Sequence, residues 1–132
     1  MYMNDSVKLK VLVIDDDRMA QKIFSKQLGS LNHSYDLADT AEDGYELLKE
    51  NCYHAILLNV TLPKMDGVEL TKLIRSSDEI RNKEIPIVCI SNTDDQGSID
   101  KFLEVGMNFF LGKDYDINLL DDVLNRYNLC DR

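Results

Sequence analysis

Residues 54–67 read HAILLNVTLPKMDG: an apolar run, one polar residue, and a short loop closed by Pro63 and the Asp66-Gly67 pair. Four consecutive apolar side chains at 55–58, bounded by turn signals, describe a strand buried on both faces. Asn59 then stands at the carboxyl end of a central strand, the edge of an open α/β sheet where ligands and chemistry gather. The first apolar run repeats the arrangement. Lys10–Ile14 is rich in Val, Leu and Ile and runs directly into Asp15, Asp16 and Asp17. If the two strands are neighbours, Asp15, Asp16 and Asn59 share one cleft, and three oxygen-bearing side chains there point to a hard cation.

Outward from these strands the chain alternates. Ala20, Ile23, Phe24, Leu28 and Leu31 recur at helical spacing, ending near 29–32. Ser34–Ala38 is a shorter, less apolar strand, expected nearer an edge. Thr40 is placed to cap a helix with Ala41, Tyr45, Leu48 and Cys52 on one stripe. A third helix starts near Asp66 with Leu70, Leu73 and Ile74 inward, followed by a charged connector at 76–83. Residues 85–90 form a fourth strand, which ends at Ser91. Thr93 to Gln96 fits a capping box for a helix whose Ile99, Phe102 and Leu103 face inward and which Gly106 terminates. A fifth strand at 107–111 leads to Gly112-Lys113, and a last helix from about Tyr115 turns Leu120, Val123, Leu124 and Tyr127 to one side. Five strands alternating with five helices through short connections imply a parallel sheet covered on both faces.

The 132 residues, 44% of them hydrophobic, suit one domain, with its core at about 9–128. Twenty-four acidic against 15 basic residues give a formal net charge of -9, which argues against a nucleic-acid backbone or an anionic membrane as partner. Cys52, Cys89 and Cys130 are odd in number and unpatterned, so a disulfide framework is not expected and a reducing, cytoplasmic setting is. His33 and His54 share no ligand-like spacing with each other or with the cysteines, which speaks against zinc. No apolar run approaches 18 residues, and neither a signal peptide nor a membrane span can be drawn.

The strand ends together offer Asp15, Asp16, Asp17, Asn59, Ser91 and Lys113. One hydroxyl, one amine and several oxygen ligands converging on a cleft are what a phosphoryl group needs. VLVIDDD, NVTLPKMDG, IPIVCIS and GMNFFLGK, in that order and spacing, resemble the receiver domain of two-component response regulators over residues 10–127. The resemblance implies a (βα)5 flavodoxin-like α/β sandwich with strand order 2-1-3-4-5. It places Asp15 and Asp16 on the acidic pair that helps hold magnesium, and the Thr61 carbonyl on the loop ligand. Ser91 and Lys113 fall on the phosphoryl-binding hydroxyl and lysine, and Phe110 on the aromatic whose rotamer reports activation. The partners it implies are a sensor histidine kinase or phosphotransfer protein, with possible homodimerisation through residues 93–127.

The departure is at the phosphoacceptor position, where Asn59 replaces the aspartate. An amide carries no carboxylate nucleophile with which to form an acyl phosphate. The chain as written is therefore expected not to be phosphorylated there, to hold Mg2+ only weakly through Asp15, Asp16, Asn59 and Thr61, and to work by protein contact. Two origins fit: a pseudo-receiver independent of phosphate, or an ordinary phosphate-regulated receiver whose acceptor has been exchanged deliberately. Asp114 follows Lys113 where the family usually has proline. An enzyme reading is the haloacid-dehalogenase phosphatases, whose Asp-x-Asp motif Asp15 and Asp17 imitate. Met19 stands where that motif has Thr or Val, and the chain leaves no room for a cap domain.

Overall fold

The structure, a computed structural model, describes residues 8–93 and 95–126. Five strands, β1 (Lys10–Ile14), β2 (Ser34–Ala38), β3 (Ala55–Asn59), β4 (Ile87–Ser91) and β5 (Phe109–Gly112), pair in parallel in the order β2-β1-β3-β4-β5. They alternate with α1 (Arg18–Ser30), α2 (Ala41–Glu50), α3 (Gly67–Arg75), α4 (Gln96–Glu104) and α5 (Ile117–Asn125). The (βα)5 sandwich and its strand order are as the resemblance implies, with β2 at one edge.

The sheet divides the core in two because side chains alternate across a strand. Val11, Val13, Leu57, Val88 and Ile90 pack with Phe24 and Leu28 of α1 and Leu120, Val123 and Leu124 of α5. Leu12, Ile14, Ile56, Leu58, Ile87 and Cys89 pack on the other face with Leu48, Leu70, Ile74 and Phe102 of α2 to α4. Both faces of β1, β3 and β4 are covered, which accounts for their unbroken apolar runs. Burial pushes the Cys89 thiol up to about 12, so it is an inert core group.

Several local expectations shift. Ile23, Leu73 and Leu103 are exposed, not inward. Each lies one residue, about 100° of helical rotation, from the narrow stripe that meets the sheet: Phe24 and Leu28 in α1, Leu70 and Ile74 in α3, Phe102 in α4. The cap of α4 is Asp95, whose carboxylate accepts from Ser98 N, while Thr93 Oγ1 accepts from Asp95 N in a local turn. The reciprocal capping box is instead at α3, where Asp66 Oδ1 accepts from Glu69 N and Glu69 Oε1 from Asp66 N. The fourth and fifth strands begin two residues later than expected, and α5 begins at Ile117 behind its cap Asp116. Tyr127 and Cys130 lie outside the described residues, as do residues 1–7.

Register delivers the site. Ile14 pairs with Leu58, Asn59 with Ile90 and Ser91 with Gly112, so the residues that follow the apolar runs emerge side by side along one edge. The loop after β3 is pinned by Gly67 N donating to Val60 O at 2.9 Å, with Lys64 in the left-handed region at φ 66°. Gly67 is needed there for closeness: a Cβ would sit 2.9 Å from Val60 Cα and 3.3 Å from Asn59 O, both backbone atoms that cannot turn aside. Gly67→Ala should cost about 1–3 kcal/mol in urea unfolding; an unchanged midpoint would show that the loop after β3 yields freely.

Candidate functional site

The carboxyl edge opens into a cleft of about 470 Å3 lined by Asp16, Asp17, Asn59, Thr61, Ser91 and Lys113, together with Asn92 and Thr93. Asp15, 1% exposed, lies under this lining, bonded to its Asp17 and Asn59. Its Oδ1 accepts from Asp17 N at 2.9 Å and from Asn59 Nδ2 at 3.1 Å. Its Oδ2 is buried with no hydrogen-bond partner among the described residues. Asn59 is held at both ends: its Nδ2 donates to Asp15, and its Oδ1 accepts from Thr61 N at 3.1 Å. The side chain at position 59 therefore turns its N–H groups, not its oxygen, toward Asp15.

That orientation follows from charge. A buried carboxylate loses hydration and needs donors, and the Asn59 amide supplies one where a second carboxylate would repel. Desolvation is the largest influence on Asp15 and raises its pKa; the bonds from Asp17 N and Asn59 and the charge of Lys113 pull it back down, and Asp16 pushes it up again. The Asp15 backbone is fixed as well. Gln21, buried in α1, donates through Nε2 to Asp15 O and to Asp39 Oδ1, both at 2.6 Å. Gln21 was not a sequence candidate, because its place on the buried stripe at 21, 24 and 28 is readable only once the true face of α1 is known.

Ser91 is nearly buried, and its Oγ accepts from Thr93 N at 3.1 Å. Lys113 is exposed, and its backbone N donates to Ser91 O at 3.1 Å, tying the ends of β4 and β5. Asp16 and Thr61 are exposed on the cleft wall. Phe110 lies outside the cleft; it is half-buried against the α2-to-α4 core and lines a second depression with Thr93, Ile99 and Lys113. Among the described residues no peptide bond is cis, and no three His, Cys, Asp or Glu side chains are grouped to hold a metal.

A parallel sheet with an acidic floor, a polar strand end, a hydroxyl and a lysine converging on its carboxyl edge coincides with a family match: residues 11–125 fit the response regulator receiver domain. The chain belongs to the response regulator receiver domain family. It is 31% identical over 120 residues to hybrid signal transduction histidine kinase F of Dictyostelium discoideum, covering 89% of this chain and 11% of that protein. It is 27% identical over 124 residues to the sensor histidine kinase RcsC of Escherichia coli, covering 94% of this chain and 13% of RcsC. The chain thus spans about a tenth of these relatives. Among solved structures it superposes with a TM-score of 0.82 and 26% identity on the receiver domain of a Pseudomonas aeruginosa sensor histidine kinase, covering 92% and 98% of the two chains. That structure has a magnesium ion coordinated in its active-site cleft.

In this receiver the phosphoacceptor position is Asn59. Membership of a signalling receiver family sets aside the haloacid-dehalogenase reading of Asp15 and Asp17. No helix among the described residues is long and apolar enough to cross a membrane.

The raised pKa of Asp15 makes a signed prediction. A carboxyl whose folded pKa lies above its unfolded value of 3.8 favours folding most below 3.8, and that contribution is lost as pH rises through the folded pKa. Asp15→Asn, which removes the buried charge, should therefore be the more stable protein at pH 7 in metal-free buffer. Its advantage should shrink steadily as pH falls toward 3.8. Thermal melts across that range, with the variant less stable than the parent at neutral pH, would refute the assignment of a buried, desolvated charge.

Proposed function

We propose that this receiver relays signals by protein contact, with no phosphoryl acceptance at position 59. The observation that carries the reading is the Asn59 side chain itself, bonded through Nδ2 to Asp15 and through Oδ1 to Thr61 N. Acyl phosphate formation needs a carboxylate at the strand end, positioned in line with the phosphodonor. The amide offers no such nucleophile, and both its polar atoms are already engaged.

The donor set fits a weakly held divalent cation. Asp15 Oδ2 is a buried carboxylate oxygen with no hydrogen-bond partner among the described residues, Asp16 lies on the cleft wall, and Thr61 lines the same cleft. Magnesium bound there would supply positive charge against phosphoryl oxygens. Asn59 could add its oxygen to the ion only by giving up the bond from Thr61 N and turning its amide over. Loss of one carboxylate also lowers the attraction to the ion. Ser91 Oγ and Lys113 are the groups available to phosphoryl oxygens, and Phe110 is the aromatic beside that end of the cleft. The hybrid-kinase relatives support a sensor histidine kinase or phosphotransfer protein as partner. The exposed Leu103 and Leu119 support α4, β5 and α5, within residues 93–127, as a second contact surface, including a homodimer.

Asp16, Ser91 and Lys113 in one cleft, with Asp15 bonded to Asn59 of its lining, favour a second reading, an ordinary phosphate-regulated receiver altered at one residue. One experiment separates the two. Incubated with acetyl phosphate and Mg2+, the protein should show no added phosphoryl mass. Asn59→Asp should gain one phosphoryl group if only the acceptor has changed, and Asp16→Ala in that background should suppress the gain. An adduct on the unaltered protein at this site would refute the proposal. A restored protein that stays inert would assign the domain to phosphate-independent receivers whose pocket has changed elsewhere.

The same substitution tests the metal. Asn59→Asp places two carboxylates in contact at the floor, so stability in metal-free buffer should fall by about 1–3 kcal/mol. Mg2+ should restore most of the loss and bind Asn59→Asp more tightly than the parent in calorimetry. Equal Mg2+ affinity in both proteins would remove position 59 from the metal's surroundings.

A further inference from the structure

Away from the cleft, α1 is chemically unlike the rest of the chain. Its 13 residues contain no Asp or Glu in a protein with 24 acidic residues, and they carry Arg18, Lys22 and Lys26. The spacing i, i+4, i+8 puts these three cations on one face. That face overhangs the edge strand β2, and with Tyr35 and Leu37 it encloses a groove of about 480 Å3. Leu37 is 39% exposed, an apolar side chain on the floor beneath the cations. Of the three, Arg18 has a partner in Asp39 at 3.5 Å, with its own side chain 80% exposed.

Among the described residues, nothing pairs with the outer edge of the backbone beneath. Ser34 N donates to Leu9 O, and Ala38 O accepts from Asp15 N, so the even-numbered residues of β2 direct their peptide groups toward β1. In a parallel ladder the N–H and C=O of one residue point to the same side and alternate along the strand. The peptide groups of Tyr35 and Leu37 therefore point outward from the sheet edge. The same two residues turn their side chains into the cationic groove. Edge strands are ordinarily guarded by their own charged side chains; β2 carries only Asp36, which bonds Tyr53 Oη and faces away from α1.

We propose that this edge is an interaction surface for an extended acidic segment of a partner protein, added beside β2 as a sixth strand. The Tyr35 and Leu37 peptide groups would form its backbone ladder, and Arg18, Lys22 and Lys26 would meet the acidic side chains of its α1-facing set. Alternation along the added strand turns every second residue to the cations, so the ligand class is a sequence with Asp or Glu at alternate positions. The overall negative charge repels acidic chains elsewhere and makes this face the electrostatically favoured landing point. The proposal is independent of Asn59, since no residue of the phosphoacceptor cleft takes part.

The probe is a short fluorescent peptide alternating Glu and Val, measured by anisotropy with the whole protein. It should bind, weaken with salt, and lose about tenfold or more in affinity on Lys22→Glu with Lys26→Glu. Lys101→Glu, on α4, should leave it unchanged. Should the charge-reversed protein not fold, Lys22→Ala with Lys26→Ala makes the same comparison. Methylating the peptide's backbone nitrogens on one alternate set should abolish binding, and on the other set should spare it, because only one set faces β2. Hydrogen exchange at the Tyr35 and Leu37 amides should slow in the complex. Equal binding by the two methylated peptides, or insensitivity to Lys22 and Lys26, would overturn strand addition at this edge. Preferential binding to phosphatidylserine vesicles through the same lysines would reassign the surface to membranes. Self-association of the protein alone, lost on the same charge reversal, would reassign it to a second copy.

Discussion

A single carboxylate, Asp15, buried at the end of a parallel strand, sets the terms for everything around it. It reaches the floor of the cleft because β1 is covered on both faces and its register with β3 leaves the next residue nowhere else to emerge. Burial removes its water, so it must find donors among its neighbours. It finds the Asp17 backbone and the Asn59 amide for one oxygen, and for the other nothing among the described residues. The unsatisfied oxygen marks where a cation would be welcomed. The satisfied one is held by the amide at position 59.

Position 59 is thus a choice between two ways of handling the same charge. A carboxylate there would supply a nucleophile and raise the local negative charge, which a bound metal ion would offset. An amide supplies a hydrogen-bond donor and lowers the charge, and links Asp15 to Thr61 N through its two ends. The choice alters stability but not architecture, since strand order, register and both core layers depend on the apolar residues of the strands and helices. One position can therefore change chemical capability while the receiver architecture stays whole.

The architecture was legible in the sequence because its strongest signals are long-range in consequence and local in form. Apolar runs ending abruptly at Asp15, Asn59 and Ser91 reported strand, burial and cleft together. Helix faces were less legible. In α1, α3 and α4, Ile23, Leu73 and Leu103 are as apolar as their buried neighbours, and only contact with the sheet decides which stripe is covered. Caps were ambiguous for a related reason: Thr93 to Gln96 and Asp66 to Glu69 have similar residue types, but Asp95 and Asp66 are the side chains that reach the first-turn N–H groups. Gln21, a polar residue on a buried stripe, could be recognised as the brace of Asp15 only from its two bonds. The amide orientation of Asn59 was likewise out of reach, because it depends on the donor at Thr61 N and the acceptor at Asp15.

That orientation is the central claim, and the side-chain amide of Asn59 reports on it directly by nuclear magnetic resonance. One Asn59 Nδ2 proton should be shifted downfield and protected from exchange. Its shift should follow a single titration with a midpoint above 3.8, the ordinary carboxyl value, and lose that pH dependence in Asp15→Asn. Two rapidly exchanging Asn59 protons, unaffected by pH and by Asp15→Asn, would contradict it.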